Sequence, residues 1–321
     1  MTALSGSTMP TTTERPTTST PTQEDEHQRR RGILRPGGRR PGAGRSDRGR
    51  GRRIAHTLVW LLVGFNLFAL GWMIVTSVRE HRSIFRSPWS LPGRPQLENY
   101  LDAWTTGNFG PAAVNTVLLV GAASVTIVLI SAPAAYALSR IPGRMSDSLS
   151  VLFALGIGVP AQVIIVPLFV IAQEMALVNS LPGLYVLYVA LSLPFTVFLL
   201  TGFFRSLPGS LEEAAALDGA SPFRTFWQIM LPLGRSGLIT ALALNAVGLW
   251  NETFLALVFV TGNENQTLSL ALLGFLAKQQ YSGADYGALF AGVCIIVLPM
   301  VALYVWLGRR IIEGLTLGAD K

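Results

Sequence analysis

The 321-residue chain is short of the residues on which most active sites and covalent cross-links depend. It has one cysteine, Cys294, and three histidines, His27, His56 and His81, all of them before or just after the first apolar run. One cysteine excludes an internal disulfide framework and a Cys-rich metal cluster. The histidine positions exclude an HExxH zinc site or a Ser/His/Asp triad within the apolar body. We therefore predict no catalytic residues and no metal ligands, and a chain that is not an enzyme.

Lysine is almost absent as well. The two lysines, Lys278 and Lys321, do not lie in the Gly-rich sequence that precedes the lysine of a phosphate-binding P-loop. If ATP drives this protein, another chain must therefore bind the ATP with its magnesium ion and hydrolyse it. We expect no cofactor in this chain.

Charged residues are also few, at 13%, whereas apolar residues make up 50% and the mean hydropathy is +0.45. Those values are typical of a membrane protein. The net charge of +7 is concentrated in residues 1–53, which contain 12 arginines and 5 acidic residues. We predict that this segment is a disordered, Arg-rich cytoplasmic tail. RNA binding is one interpretation of its composition, but we favour attraction to anionic membrane lipid, because no aromatic side chain is available to stack on bases. No nucleic-acid partner is expected.

Six apolar runs follow the tail, and each is long enough to cross a bilayer as a helix. The sequence therefore predicts an all-α integral membrane protein with a transmembrane domain over 54–321. With the N-terminus inside, 20 lysines and arginines lie on the cytoplasmic side and 5 lie outside, so we predict that both termini are cytoplasmic and that the protein is multi-pass in the plasma membrane. The predicted spans are about 54–78, 113–138, 149–173, 183–204, 236–260 and 287–308.

The cytoplasmic segment 205–235, called the elbow below, is predicted to form two short helices. Ser210 is expected to cap the first helix together with Glu213, and Gly219 to stop it. Ser221 is expected to cap the second helix, with Pro222 at its first position. We expect Pro232 to end that second helix, since proline cannot continue it.

The spacing of residues in the elbow resembles the EAA loop of ABC importer permeases. Glu213-Ala214-Ala215 is followed by three residues and Gly219, and then by nine residues, Ile229, one residue and Leu231-Pro232. Asp218 and Ala220 match the extended form EAAxxDGA of this motif. The resemblance implies that the loop docks into a groove of a cytoplasmic ATPase. The residues assigned to that coupling role are Glu213, Ala214, Ala215, Asp218, Gly219, Ala220, Phe223, Phe226 and Pro232.

Other short segments are similar to the carbohydrate-type permeases of the maltose-transporter class, among them Ala135-Tyr136-Ala137-Leu138-Ser139-Arg140, Leu193-Pro194-Phe195 and Trp250-Asn251-Glu252. This resemblance implies a type I ABC importer permease fold and the import of a sugar or oligosaccharide. It also implies a second homologous permease, a cytoplasmic ATPase dimer and an extracytoplasmic solute-binding protein as partners. The long basic tail departs from the family pattern, which leaves its role open.

Polar residues in the fifth predicted span are candidates for contact with substrate. Asn245, Gly248 and Glu252 follow i, i+3, i+7 spacing and would share one face of a continuous helix. A buried carboxylate in a membrane needs a partner or a wet cavity. The face could line the translocation path, or its residues could form hydrogen bonds between helices, and both hypotheses stay open from sequence.

An ion-coupled secondary transporter of a small polar solute is the alternative function. Such a protein ordinarily carries several intramembrane charges or an internal repeat with broken helices. Here Glu252 is the one carboxylate in the predicted spans, and no repeat is evident.

Overall fold

The computed structural model describes residues 45–283 and 285–316, and in these residues it is helical, without a β-strand. The predicted all-α class is confirmed. The helices are α1 (Arg45–Ser77), α2 (His81–Arg86), α3 (Glu98–Thr106), α4 (Phe109–Arg140), α5 (Arg144–Ile157), α6 (Ile165–Glu174), α7 (Leu181–Ser206), α8 (Ser210–Leu217), α9 (Pro222–Leu233), α10 (Arg235–Trp250), α11 (Phe254–Phe259), α12 (Leu268–Ser282) and α13 (Tyr286–Thr316).

Four of these helices are long and apolar enough to cross a membrane: α1, α4, α7 and α13. The helices α9 and α10, bent by 71° with respect to each other, add a fifth candidate if they count as one span. The integral membrane character predicted from composition is thus present in the fold. The count of six spans and the cytoplasmic location of both termini stay predictions.

Two stretches that we predicted as single spans are each divided into two helices. Over 149–173 the chain leaves α5 at Gly158 and resumes as α6 at Ile165. Pro160 lies in this break, and its missing N–H and its restriction of the preceding residue both disfavour a continuous helix. Over 236–260 the chain leaves α10 at Asn251 and resumes as α11 at Phe254.

The described residues divide into two compact units, with the boundary between residues 64 and 65. We predicted a disordered tail over 1–53. Residues 1–44 of that tail lie outside the described residues, and α1 begins at Arg45. In the second unit, α4 and α7 form the most extensive helix pair. Their interface and α11 enclose a core of large buried side chains that includes Leu119, Ile127, Leu184, Tyr188 and Phe259.

A second buried cluster lies where the elbow joins the bundle. It combines small residues of α4 with aromatic and aliphatic residues of α7, and Phe226 of α9 inserts into it. Shape matching among these side chains fixes where the elbow sits on the bundle, because interiors are close-packed and tolerate little displacement. Its buried members are Ala132, Ala135, Leu138, Val197, Leu200, Phe204, Phe226 and Ala241.

Candidate functional site

The first helix of the elbow ends as the sequence predicts. Gly219 has φ +76°, a left-handed conformation that side chains other than glycine rarely adopt. The N–H of Ala220 donates to the carbonyl of Ala215 at 2.9 Å, and the N–H of Gly219 donates to that of Ala216 at 3.0 Å. This pair of bonds is a Schellman motif, which satisfies carbonyls at the end of the helix. The predicted stop at Gly219 is confirmed.

The start of the same helix differs from the prediction. Gly209, with φ −66° and ψ −24°, precedes the first helical residue, and no side chain caps the helix. The N–H groups of Glu212 and Glu213 donate to the carbonyl of Gly209, at 2.9 and 3.2 Å. Ser210 therefore lies inside the first turn, where its side chain does not act as the cap. The predicted capping box is wrong because the chain is already helical one residue earlier.

The second helix of the elbow starts as predicted and ends later. Ser221 accepts a hydrogen bond from the N–H of Arg224 at 3.3 Å, and Pro222 occupies the first turn. Phe226–Met230 form a π turn, and the helix continues through Pro232 to Leu233. In a π turn the backbone is wider, and it accommodates a residue that lacks an N–H. The expected stop at Pro232 is therefore wrong, and the helix ends at Leu233, before Gly234.

The candidate coupling residues divide into an outward and an inward set. Phe223 is 73% exposed, and neighbouring Leu217, which the sequence argument passed over, is 90% exposed. The inward set is Ala215 and Phe226, with exposed fractions of 4% and 5%. Ala220 is half-buried. The other outward-facing candidates are Glu213, Ala214, Asp218, Gly219 and Pro232.

Phe226 attaches the elbow to the bundle. Its ring centroid lies 5.0 Å from that of Tyr136 in α4 and 6.5 Å from that of Phe204 in α7. Aromatic rings at these separations attract each other in addition to burying apolar area. Phe226 thus anchors the elbow within the chain, whereas Phe223, three residues earlier, is available to a partner.

The sequence spacing predicted that Glu252 and Asn245 share one face of a continuous helix, and the structure shows that they do not. Glu252 lies in the break between α10 and α11, because α10 ends at Trp250. Its Oε1 accepts from the N–H of Leu255 at 2.7 Å, and its Oε2 accepts from the N–H of Ala256 at 3.3 Å. A carboxylate at this place compensates the unpaired N–H groups of the first turn of α11.

A long-range partner completes the environment of Glu252. The hydroxyl of Tyr188, on α7, donates to Oε2 of Glu252 at 2.8 Å. This hydrogen bond holds the break against α7. A hydrogen bond to a carboxylate is among the stronger ones available in a protein.

Asn245 is buried between α10 and α7. Its Nδ2 donates to Oγ1 of Thr196 at 3.0 Å and to the carbonyl of Ala241 at 2.8 Å. These contacts match the interhelical hydrogen bond that was one of the two hypotheses for this residue. Gly248, by contrast, is exposed, and a Cβ added there would meet no atom within 4 Å.

A cavity of about 270 Å³ lies beside Glu252. Its lining joins the two broken stretches, because Ala161 and Gln162 come from the break after α5 and Phe254 from the start of α11. The sequence argument missed Gln162, Ser192 and Tyr188, which also line the cavity. The Gly158–Pro160 segment and the polar residues after Trp250 were the available signals, since both interrupt an apolar helix. Among the described residues, no cluster of three or more acidic, His or Cys side chains could hold a metal ion.

Comparison with known proteins extends the resemblance from short motifs to most of the chain. The profile of a family described as binding-protein-dependent transport system inner membrane component matches residues 127–313, which include the elbow. The diacetylchitobiose uptake system permease protein NgcG of Streptomyces coelicolor is 37% identical over 270 residues, which are 84% of this chain and 88% of that protein. The trehalose transport system permease protein SugB of Mycobacterium tuberculosis is 30% identical over 264 residues, covering 81% of this chain and 94% of that protein.

Solved structures agree on the fold. A bacterial ABC transporter involved in the import of the acidic polysaccharide alginate superposes with a TM-score of 0.70 at 22% identity, covering 84% of this chain and 99% of the matched chain. The family profile spans more than half of the sequence, and a relative above 30% identity covers most of it. The chain therefore belongs to the inner-membrane components of binding-protein-dependent transport systems, a family of transport subunits and not of enzymes.

Proposed function

We propose that this chain is the permease subunit of an ATP-driven importer for a sugar or oligosaccharide, and that its elbow receives the motion of a separate ATPase. The observation that carries the proposal is the outward face of the elbow, where Glu213, Asp218 and Phe223 are exposed on two short helices with EAA spacing. A chain without a P-loop lysine needs such a surface if ATP is to drive it.

The substrate class is supported by the relatives. Two relatives are named for diacetylchitobiose and trehalose, and a third, the import permease protein MelC of Bacillus subtilis, for melibiose, raffinose and stachyose. All of these are saccharides, whose hydroxyl groups require donors and acceptors within the path. The Glu252 cavity offers a carboxylate, the Gln162 amide and the Ser192 hydroxyl. We propose that Glu252 lines the substrate path there and that Asn245 serves helix packing, whereas Gly248 is not among the residues that line the cavity.

The proposed assembly contains a second homologous permease, two ATPase subunits that bind ATP and magnesium, and an extracytoplasmic solute-binding protein. In the proposed cycle, ATP closes the ATPase dimer, the paired elbows approach each other and the path opens outward to receive substrate. Hydrolysis then restores the inward-facing state. The chain's own part is to hold the elbow rigid and to change the packing of its helices when the elbow moves.

The ion-coupled secondary transporter is not favoured. Both carboxylate oxygens of Glu252 already accept hydrogen bonds from Tyr188 and from the backbone of α11. A coupling-ion site would ordinarily need further charged or polar partners around it.

The first experiment tests the ATP-driven function. This chain is reconstituted in proteoliposomes with an ATPase, a second permease and a solute-binding protein from the same organism, and the complex is assayed for uptake of diacetylchitobiose and trehalose. Uptake should require ATP and should fall strongly when Glu213→Ala weakens the ATPase contact. Glu264→Ala removes another exposed carboxylate outside the elbow and serves as the matched control. Uptake that persists with an inactive ATPase would contradict the proposal and favour the secondary transporter.

The second experiment tests whether Glu252 contacts substrate. Glu252→Gln keeps a carbonyl acceptor for α11 but removes the charge, whereas Tyr188→Phe removes one donor and leaves the carboxylate. A role in the substrate path predicts that Glu252→Gln raises KM for uptake about tenfold, as the loss of about 1.4 kcal/mol of binding would, with complex assembly unchanged. A KM equal to that of the unsubstituted complex, with thermal stability lowered in both variants, would assign Glu252 to capping alone.

A further inference from the structure

Arg140 and Glu212 form an ion pair between a long span and the elbow. Arg140 is the last residue of α4, and Glu212 lies in the first turn of α8. The Nε of Arg140 is 3.1 Å from Oε1 of Glu212, and the two side chains are only 18% and 24% exposed. Because they are largely withdrawn from water, salt screens their attraction less than it screens an exposed pair.

The same guanidinium also reaches a third element. The Nη2 of Arg140 donates to the carbonyl of Leu207 at 2.9 Å, and Leu207 is the residue that follows α7. One side chain therefore ties together the end of α4, the end of α7 and the start of α8. A planar guanidinium is suited to this task, since it presents several donors in a fixed geometry.

The two neighbouring glutamates of the elbow have different surroundings. Glu212 is partly buried against Arg140, whereas Glu213 is exposed on the outer face. Consecutive residues of a helix point about 100° apart, so one can face the bundle while the next faces a partner. Sequence spacing alone does not distinguish them, because both occupy the first turn of α8.

The two helices of the elbow are thus attached to α4 by contacts of different chemistry. The first helix is attached through the Arg140–Glu212 ion pair, and the second through contact between the rings of Phe226 and Tyr136, which are tilted by 36°. Gly209 and Gly219 flank α8, and a Cβ added at either position would meet no atom within 4 Å.

We propose that Arg140 and Glu212 are positioning residues that make the first elbow helix move as one body with the inner end of α4, so that motion of the ATPase reaches that span. This inference rests on the proposed function. It assigns to Glu212 a role separate from that of Glu213: one carboxylate transmits force within the chain, and the other faces the partner.

The test measures transport per ATP hydrolysed in the reconstituted complex. Glu212→Gln and Arg140→Gln should assemble and hydrolyse ATP, but the number of saccharide molecules imported per ATP should fall by about 2- to 30-fold, the range expected when a contact that couples two sites is removed. Arg140→Lys retains the charge and should keep most of the ratio. Arg144→Gln removes an exposed arginine four positions further on and should leave the ratio unchanged.

Several results would overturn the inference. One is an unchanged ratio in both Gln variants, and another is an equal loss in Arg140→Lys and Arg140→Gln. Failure of Glu212→Gln to assemble would also overturn it, because the pair would then serve the stability of the fold. The control for the proposed function is the unsubstituted complex: if that complex imports no saccharide with ATP, the proposed function itself fails, and if it does import, these outcomes bear on the ion pair alone.

Discussion

The elbow exposes charged and apolar side chains, whereas the polar side chains around the break at Glu252 are hydrogen-bonded within the chain. In the elbow, the carboxylate of Glu213 and the ring of Phe223 face outward. Around the break, Asn245 and Glu252 are bonded to Thr196, to Tyr188 and to the backbone of their own chain. Exposed apolar groups on a water-facing segment point to a partner, whereas polar groups in a membrane domain must first be satisfied internally.

We therefore expect the exposed residues of the elbow to matter mainly for assembly and the hydrogen-bonded residues of the bundle to matter mainly for the fold. The exposed ring of Phe223 adds little to stability, since it is 73% exposed and its ring contact is with Trp227 of the same short helix. A buried amide in the bundle contributes mainly by avoiding the cost of an unpaired polar group. Substitutions that change the affinity for a partner without changing the stability of the fold, or the reverse, therefore test the comparison directly.

The largest expected effect comes from two phenylalanines of the same elbow helix. Phe226→Ala should lower the free energy of unfolding by about 3–5 kcal/mol, because it leaves a cavity among Tyr136, Phe204 and their neighbours. Phe223→Ala should change it by no more than about 0.5 kcal/mol, as is usual for exposed positions. Thermal unfolding of the purified chain in detergent would measure both.

The two substitutions should have the opposite order of effect on ATPase affinity, measured by titrating the ATPase against the permease subunits. Phe223→Ala is expected to weaken binding of the ATPase by about tenfold, the loss typical of an interface anchor. The comparison breaks if Phe223→Ala destabilises the chain as much as Phe226→Ala does, or if it leaves ATPase affinity unchanged.

An intermediate effect is expected at the turn between the two elbow helices. Gly219→Val forces a β-branched residue to φ +76°, which costs about 1–2 kcal/mol and displaces the end of α8. Gly219→Asn is the matched variant, because asparagine tolerates the left-handed region. ATP-driven uptake should fall clearly in the valine variant and much less in the asparagine variant. Equal uptake in the two would mean that the geometry of the turn does not matter for coupling.

The smallest effect is expected inside the bundle. A double-mutant cycle of Asn245→Leu and Thr196→Val should give a coupling energy of about 0.6 kcal/mol, the average for hydrogen bonds between membrane helices. Uptake kinetics should stay close to those of the unsubstituted chain. A large rise in KM with Asn245→Leu would instead place this amide in the substrate path and weaken the contrast between the two regions.

Local chemistry made the elbow predictable. The stop at Gly219 and the cap at Ser221 with Pro222 depend on neighbours within a few residues, and both are present in the fold. The error at Ser210 has a local cause too: Gly209 already has a helical backbone conformation, which moves Ser210 into the first turn. The π turn at Phe226–Met230 could not be predicted, because it depends on Phe226 being fixed among rings of other helices.

The breaks in the third and fifth predicted spans were harder to foresee. The length of an apolar run indicates whether the segment can cross a bilayer, but it does not indicate whether the helix is continuous. The break after Trp250 is stabilised by the hydrogen bond from Tyr188 to Glu252, two residues that lie 64 positions apart in the sequence. Contacts of that kind become visible only when the helices are packed.

The sequence by itself determined that this is a helical membrane protein, and that the segment 205–235 forms two short helices joined at Gly219. These properties follow from residue composition, hydrophobic run length and capping chemistry, all of which act over short distances. Only the tertiary structure decided which glutamate faces Arg140 and which faces outward, that Phe226 is an anchor, and that Glu252 caps a new helix beside a cavity. Those outcomes depend on packing between segments far apart in the chain, because burial and hydrogen-bond partners are set by neighbours in space.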